Sequence, residues 1–480
     1  MFLREQGPGP RYVAVLVAAA LLAGCATVDE KASFVQVSSL VENRSSVQPV
    51  WKRNEASIAA ADREARRILK RALALDDAVR LALLRNPSIQ AKLARIGIAE
   101  ADVVQAGRIR NPVVSIGRIA GGGILEIERQ ILVSLVSLFT LGSRTEIAKD
   151  DAERSRYLTA LEVLAAVHGV RMAWIEAVAA NERIGTMKRI FDAAESAEQL
   201  SRRMAAAGSM TALDQAKIKV MKAETAAQLG RLRIAEGMAR EKLVRAIGLW
   251  GRETRFRLPS RLPGLPPSPV TKARIERSAL ITRLDVKAAR KDIERLKKTI
   301  ELTAFTGVVS LLEVSGYSIH DREREDGKTS RKHLNGVEVE FAIPIFDPGD
   351  AKTSRAKWIY IQAVNELQAI AIKARSEVRE AYLGYRGTYD LARHYQRTLV
   401  PLTKQITEEQ LLRYNGMLTG VFELLAANRQ QSQALMTFIE ARRDFWLAKT
   451  QLDYVSTTGS STGVSPSTVT AAAGGGDEEH

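Results

Sequence analysis

Beyond residue 25 the chain has no run of eighteen consecutive apolar residues, so no membrane-spanning helix can be read from it. It has one cysteine in 480 residues, which excludes an intrachain disulfide. Aromatics are scarce at 5%, and much of the 46% hydrophobic share is alanine. Small apolar residues of this kind favour helices packed at close range over a thick globular core. The five histidines, His168, His320, His333, His394 and His480, show no H-x-x-x-H spacing, and there is no G-x-x-x-x-G-K-[ST] and no nucleophile motif. No enzyme is expected, and no cofactor. The net charge of +16 could by itself suggest nucleic acid. However, the 71 Lys and Arg are interleaved with 55 Asp and Glu along helical stretches, and no basic block carries interleaved aromatics. That pattern describes a solvated helix surface, with no nucleic-acid partner.

The single cysteine sits where its position matters. Arg4 and Arg11 precede an apolar run from Tyr12 to Gly24 that ends in "LLAGC", a signal peptide over residues 1–24 that is too short to span a bilayer. Leu22-Ala23-Gly24-Cys25 resembles the bacterial lipobox, which implies a lipid on Cys25; the plainer alternative is a small-residue cleavage site that happens to end in cysteine. Ala26 follows, not Asp, so the resemblance implies sorting to the outer membrane. Residues 25–74 read as a polar leader.

From Leu75, with Asp76 and Asp77 at its start, the pattern predicts a helix to about Arg108. "RNPVVSIGRIAGGGILEIERQILVSL" then predicts a hairpin over about 111–138, turning at Gly121-Gly122-Gly123. Leu158, Leu161, Ala165, Met172, Ile175 and Ala179 recur at helical spacing, and a helical hairpin is expected over about 145–249 with a break at Gly208-Ser209. Five prolines between Pro259 and Pro269 make 251–270 a linker.

The second half, 271–456, repeats the first. Val113-Val114-Ser115 matches Val308-Val309-Ser310 at an offset of 195, and Gly208 and Thr211 match Gly416 and Thr419 at 208. The difference falls within the hairpins, where the second carries a twelve-residue polar insert, Asp321 to Lys332. A second β-hairpin is expected over about 306–346 and a second helical hairpin over about 351–455; residues 457–480 read as a low-complexity, disordered tail.

One chain thus supplies four strands. "VEVEFAIPIF" (Val337 to Phe346) alternates apolar and polar over ten residues, a length suited to a tilted transmembrane strand of about 9–11. An open sheet in lipid would leave its edge N–H and C=O groups unpaired, and membrane barrels begin at about eight strands. Several chains must therefore pool their hairpins. Glu126, Glu128, Glu338 and Glu340 would each cost about 2–4 kcal/mol on a lipid face near the midplane, so they are expected in the lumen. The alternative is a small soluble sheet capping a helical bundle. The insert 321–332 is expected to be an extracellular loop, bracketed by His320 and His333, which either bind a metal or are ordinary surface histidines. Tyr317, Phe341 and Phe346 either form an aromatic interface belt or pack between protomers.

Lipobox, two copies of helix–hairpin–long helix–break–helix, "RNP" before the first strand and "IPIFDPGDA" after the last are together similar to the TolC family of outer-membrane efflux factors. "RYNGMLTGVFELLAANRQQSQA" (Arg413 to Ala434) resembles that family's second-repeat tip. The resemblance covers residues 75–456. It implies a mainly α fold with a small transmembrane β part: a homotrimer whose shared β-barrel continues into a long coiled-coil α-barrel. It further implies a passive exit duct that docks to a periplasmic adaptor protein and an energised inner-membrane transporter. On this resemblance Gly208, Thr211, Gly416 and Thr419 mark the adaptor-docking tips, and Asp214 and Glu423 are pore-gate residues. Glu423 comes one place later than the family's usual acid, where this chain has Phe422. The competing expectation, from a different class, is a periplasmic coiled-coil lipoprotein that scaffolds the envelope without a pore.

Overall fold

The computed structural model describes residues 30–121, 124–271, 275–325 and 328–459. The signal peptide, Cys25, Gly122, Gly123 and the tail from 460 lie outside the described residues.

The leader is not a loose polar segment from its first described residue. It forms α1 (Glu30–Ser45) and α2 (Glu55–Leu69). Asn54 caps α2, its side chain accepting from Ser57 N while Ser57 reaches back to the cap backbone. Val37, Val41, Ala61, Ala65 and Ile68 are buried in the main core. Sparse small apolar residues at helical spacing suffice here because each helix contributes only one narrow stripe.

The helix expected from Leu75 to Arg108 is two: α3 (Leu75–Arg85) and α4 (Pro87–Ala106). Asn86 separates them, extended as the residue before a proline must be, and its side chain caps α4 by accepting from Ser88 N. Strands β1 (Val113–Gly121) and β2 (Ile124–Ser134) follow, then a short α5 (Leu135–Phe139). Helices α6 (Leu141–Ala206) and α7 (Ala212–Ile247) complete the first unit. The second unit begins with α8 (Ile275–Thr282) and α9 (Leu284–Val308), then β3 (Leu312–Glu325) and β4 (Lys328–Phe341). It ends with α10 (Asp350–His394), α11 (Val400–Asn415) and α12 (Val421–Thr457).

Helix α6 has 66 residues, roughly 100 Å of rise. Asp350 to Asn415 is a continuous helix of the same length, with a π-turn at Tyr395–Leu399 between α10 and α11. Pro401 explains the π-turn. It donates no N–H and its ring would strike the carbonyl of Arg397, so the turn before it widens. By composition and length α6 could cross a membrane, but half of its most apolar window is buried in the core.

The proline-rich linker is pinned as a strap. Prolines leave carbonyls that still need donors. Asn181 donates to Pro259 O, Trp446 to Pro263 O, and the Tyr389 hydroxyl to Pro266 O and Pro267 O. Leu262 N donates to Glu182, whose carboxylate also receives Arg442 from α12. Glu182 (9% exposed) and Arg442 (8%) thereby join the two units across the helical body.

On α6, His168 stacks on Tyr454 with ring centroids 4.4 Å apart. Burial pushes its imidazole down to about 4, although a hydrogen bond to the Gln451 side chain acts the other way. The folded value lies below the unfolded one near 6.5, so this group's stability is complete above that pH. It is lost as the pH falls through the window from 6.5 to about 4. The loss per protomer is about 3 kcal/mol. Thermal unfolding from pH 7 to pH 4 should show a decline that His168→Phe, which keeps the stacked ring, largely removes.

Candidate conduction surfaces: the sheet and the helical tips

The four strands form one antiparallel sheet in the order β1-β2-β3-β4. Residues directly opposite one another share a face. Glu126 stands opposite Asp321, which stands opposite Lys332, and Glu128 lies between Gly117 and Ile319. Ser315 stands between Leu132 and Glu338, and Glu313 between Ser134 and Glu340. All four predicted glutamates therefore share one face, joined by Glu313, Asp321 and Glu323. This face is concave: it holds a hollow of about 600 Å³ lined by Ser115, Gly117, Glu128, Gln130 and Tyr317 among others. A polar ladder crosses it. Ser115 Oγ donates to Gln130 (3.4 Å), Gln130 Nε2 to Ser315 Oγ (3.0 Å), and Ser315 Oγ to Glu338 (3.5 Å).

Three expectations about the sheet need correction. The fourth strand is Lys328–Phe341, not 337–346; Pro344, lacking an N–H, cannot continue a ladder, and Ile343, Ile345 and Phe346 lie beyond the strand. The insert is not a loop, because 321–325 and 328–332 pair as the outer ends of β3 and β4. Tyr317 does not share a face with Phe341. It lies on the acidic face over Gly336, where a Cβ would meet the ring at 2.3 Å.

His320 and His333 do come together, directly opposed with ring centroids 3.8 Å apart. No group of three or more His, Cys, Asp or Glu suited to a metal occurs among the described residues.

Where the strands meet the helices, two glycines let backbones touch. Gly349, at φ +76°, begins α10, and a Cβ there would lie 2.4 Å from Gly307 Cα at the end of α9. Asp347 fixes the turn by accepting from Gly349 N at 3.0 Å.

At the opposite end lie the two helical turns. After α6, Gly208 takes φ +76°, its N–H donating to Ala205 O and that of Ser209 to Met204 O. This is a Schellman turn with glycine in the left-handed position. Thr211 then caps α7 by accepting from Asp214 N at 3.1 Å, and its hydroxyl donates to the Asp214 carboxylate at 2.8 Å. That hydrogen bond, with Lys217 beside it, holds Asp214 below the usual carboxylate range.

The second turn has the same hydrogen bonds but shifts one residue. Met417 N donates to Tyr414 O and Leu418 N to Arg413 O, and the left-handed residue is Met417 (φ +55°), not Gly416, which has φ −82°. The cap of α12 is Gly420, not Thr419. Glu423 is therefore the third residue after its cap, as Asp214 is after Thr211. The Glu423 carboxylate folds back over Gly420, 2.8 Å from where a Cβ would stand. The helices and turns of the two units thus correspond at an offset of 209, one more than Gly208 and Gly416 suggest, and the two acids occupy equivalent sites. Sequence matching missed this because Gly416 invited alignment with Gly208. Lys217 lies 5.1 Å over the Phe422 ring, linking the two tips.

Met417 is 95% exposed, so its side chain contributes no packing to offset a left-handed backbone. Met417→Gly should stabilise the turn by about 0.5–1 kcal/mol, after the entropy cost of glycine. Hydrogen exchange at Leu418 should slow accordingly.

No protein-family model matches the chain, and no curated protein matches it by sequence. Its fold has clear counterparts among solved structures. A membrane protein from Pseudomonas aeruginosa superposes with a TM-score of 0.65 at 20% identity, over 82% of this chain and 93% of that one. The Campylobacter jejuni CmeC outer membrane channel gives 0.67 at 13% identity, over 80% and 85%. The Vibrio cholerae outer membrane protein VceC gives 0.62 at 15%, over 80% and 96%. The chain has the fold of the TolC-like outer-membrane efflux channels.

Proposed function

We propose that three copies of this chain assemble in the outer membrane as a passive exit duct. In this reading each contributes four strands to a common barrel and two helical hairpins to a periplasmic tunnel. The observation that carries the reading is the open sheet: within the described residues β1 and β4 are edges, on strands of 9 and 14 residues. Edges in a bilayer require partners, and β4 of one copy against β1 of the next supplies them without a free edge. Exposed apolar side chains on the helices call for cover in the same way. Trp358, Ile361, Ile372 and Leu383 stand out on α10, and Val220, Ile234 and Met238 on α7.

The tips, with Gly208, Thr211, Gly416 and Thr419 and with Leu213, Met417 and Leu418 exposed, form the end that a periplasmic adaptor would grip. An energised inner-membrane transporter lies beyond it. Asp214 and Glu423, equivalent on the two tips, are the gate residues of this reading. The lipid of Cys25 fits the placement of α1. Ser33 donates to Glu100, and Arg156 holds both Gln36 and Glu100, so α1 starts beside the sheet-proximal part of α4. No cofactor beyond that lipid, and no reaction, belongs to the proposal.

The test is mass measurement of the purified chain in detergent, followed by planar-bilayer recording. A trimer that passes ions is expected. A solitary chain that never conducts, with the strands open to protease in intact membranes, would instead favour the scaffold.

A further inference from the structure

The charges of the sheet are sorted by sign between its faces. Against the acids of the concave face stand Arg118, Arg129, Arg322, Arg324 and Arg331 on the convex one, and no acid shares that face among the described residues. The sequence writes this sorting as alternation, Asp321-Arg322-Glu323-Arg324. The convex face is also ordered along the strands. Its rungs nearest the helices are apolar: Leu312 with Phe341, Val133 with Val314 and Val339, then Val114 and Ile131 with Val337. Every rung from Arg129 outward to the β3–β4 turn carries an arginine. His320 and His333 lie within this band, on the rung of Arg118. Arg118, Arg129, Arg322 and Arg331 are all exposed.

Such a face cannot be wholly in hydrocarbon, where unpaired arginines are strongly disfavoured, and it lacks carboxylates to pair them. It cannot hold a metal cation on the two histidines against five guanidinium groups. It does match a leaflet whose acyl chains end in phosphates. Guanidinium forks bind phosphate in bidentate fashion, and several at graded heights suit a lipid that bears more than one phosphate. We propose that the convex arginine band binds phosphorylated lipid of the outer leaflet, setting the depth of the barrel. This rests on the duct reading, since it needs the convex face turned to lipid.

The full-length trimer in detergent would be incubated with lipid A, either carrying its phosphates or enzymatically stripped of them, and retained lipid read by native mass spectrometry. Retention of the phosphorylated form should exceed that of the stripped form at least tenfold. Replacing Arg118, Arg129, Arg322 and Arg331 together by Gln should abolish the preference. Lys332→Gln, which removes a positive charge from the concave face, should keep it. Inorganic phosphate at millimolar concentration should not displace the lipid, which separates a lipid site from a free-phosphate site. Should the fourfold variant fail to assemble, Arg129→Gln and Arg331→Gln singly should each lower retention several-fold. Equal retention of the two lipids, or a fourfold variant that binds as the parent does, overturns the proposal. A trimer that conducts normally while showing no lipid preference overturns it and leaves the duct standing.

Discussion

Glu182→Ala should lower the stability of each protomer by about 3–5 kcal/mol, because it strands a buried guanidinium. Arg442 reaches both oxygens of Glu182 from α12, and one of those oxygens also accepts Leu262 N from the strap. The substitution therefore removes one side chain but unpairs groups on two other segments. Arg442→Met should cost less, since the carboxylate keeps the Leu262 donor and Met fills the arginine stem's volume. Combining Glu182→Leu with Arg442→Met removes both charges and should recover most of the loss. About 1–3 kcal/mol should remain missing, because Leu262 N–H is then left without its acceptor. Thermal unfolding of the three variants side by side in detergent reads the ordering. A double-variant loss equal to the sum of the two single losses would mean that the pair is not coupled.

The duplication and the long helices were legible because helical period and chain length both point the same way. Hairpins were legible from alternation, and the four glutamates from their shared parity. What escaped was governed by one-residue choices or by long-range packing. The left-handed turn at Met417 leaves no mark on hydropathy, and a glycine one place earlier draws attention from it. Asn86-Pro87 was visible as a dipeptide, yet the apolar pattern runs on both sides of it and hid the break. The charged insert was misread as a loop because it has no apolar alternation; its signal was alternation of sign, which carries the same period of two. The leader's packing could not be read locally, since Val37 and Val41 gain their meaning only against α6 and α4.

That sorting of sign also decides a matter that the overall charge obscures. The chain carries +16, yet among the described residues the concave face of the sheet has seven acids, Glu126, Glu128, Glu313, Asp321, Glu323, Glu338 and Glu340, with Lys332 opposing them. In the trimer we propose, three such faces around one lumen should make the duct select cations. A barrel of twelve strands is wider than one whose lumen side chains fill, so the effect depends on how far the field reaches. At 0.01 M salt the Debye length of about 30 Å spans much of the lumen, whereas at 1 M it shrinks to about 3 Å. Reversal potentials under a tenfold KCl gradient should therefore approach the cation limit of about 59 mV only in dilute salt. Replacing Glu126, Glu128, Glu338 and Glu340 by Lys changes each face by eight charge units and should reverse the sign of the potential. The corresponding Gln variant leaves Glu313, Asp321 and Glu323 against Lys332 and should lower the potential without reversing its sign. A conducting trimer whose reversal potential ignores all four changes would place these carboxylates outside the ion path, and with them the assignment of the concave face to the lumen.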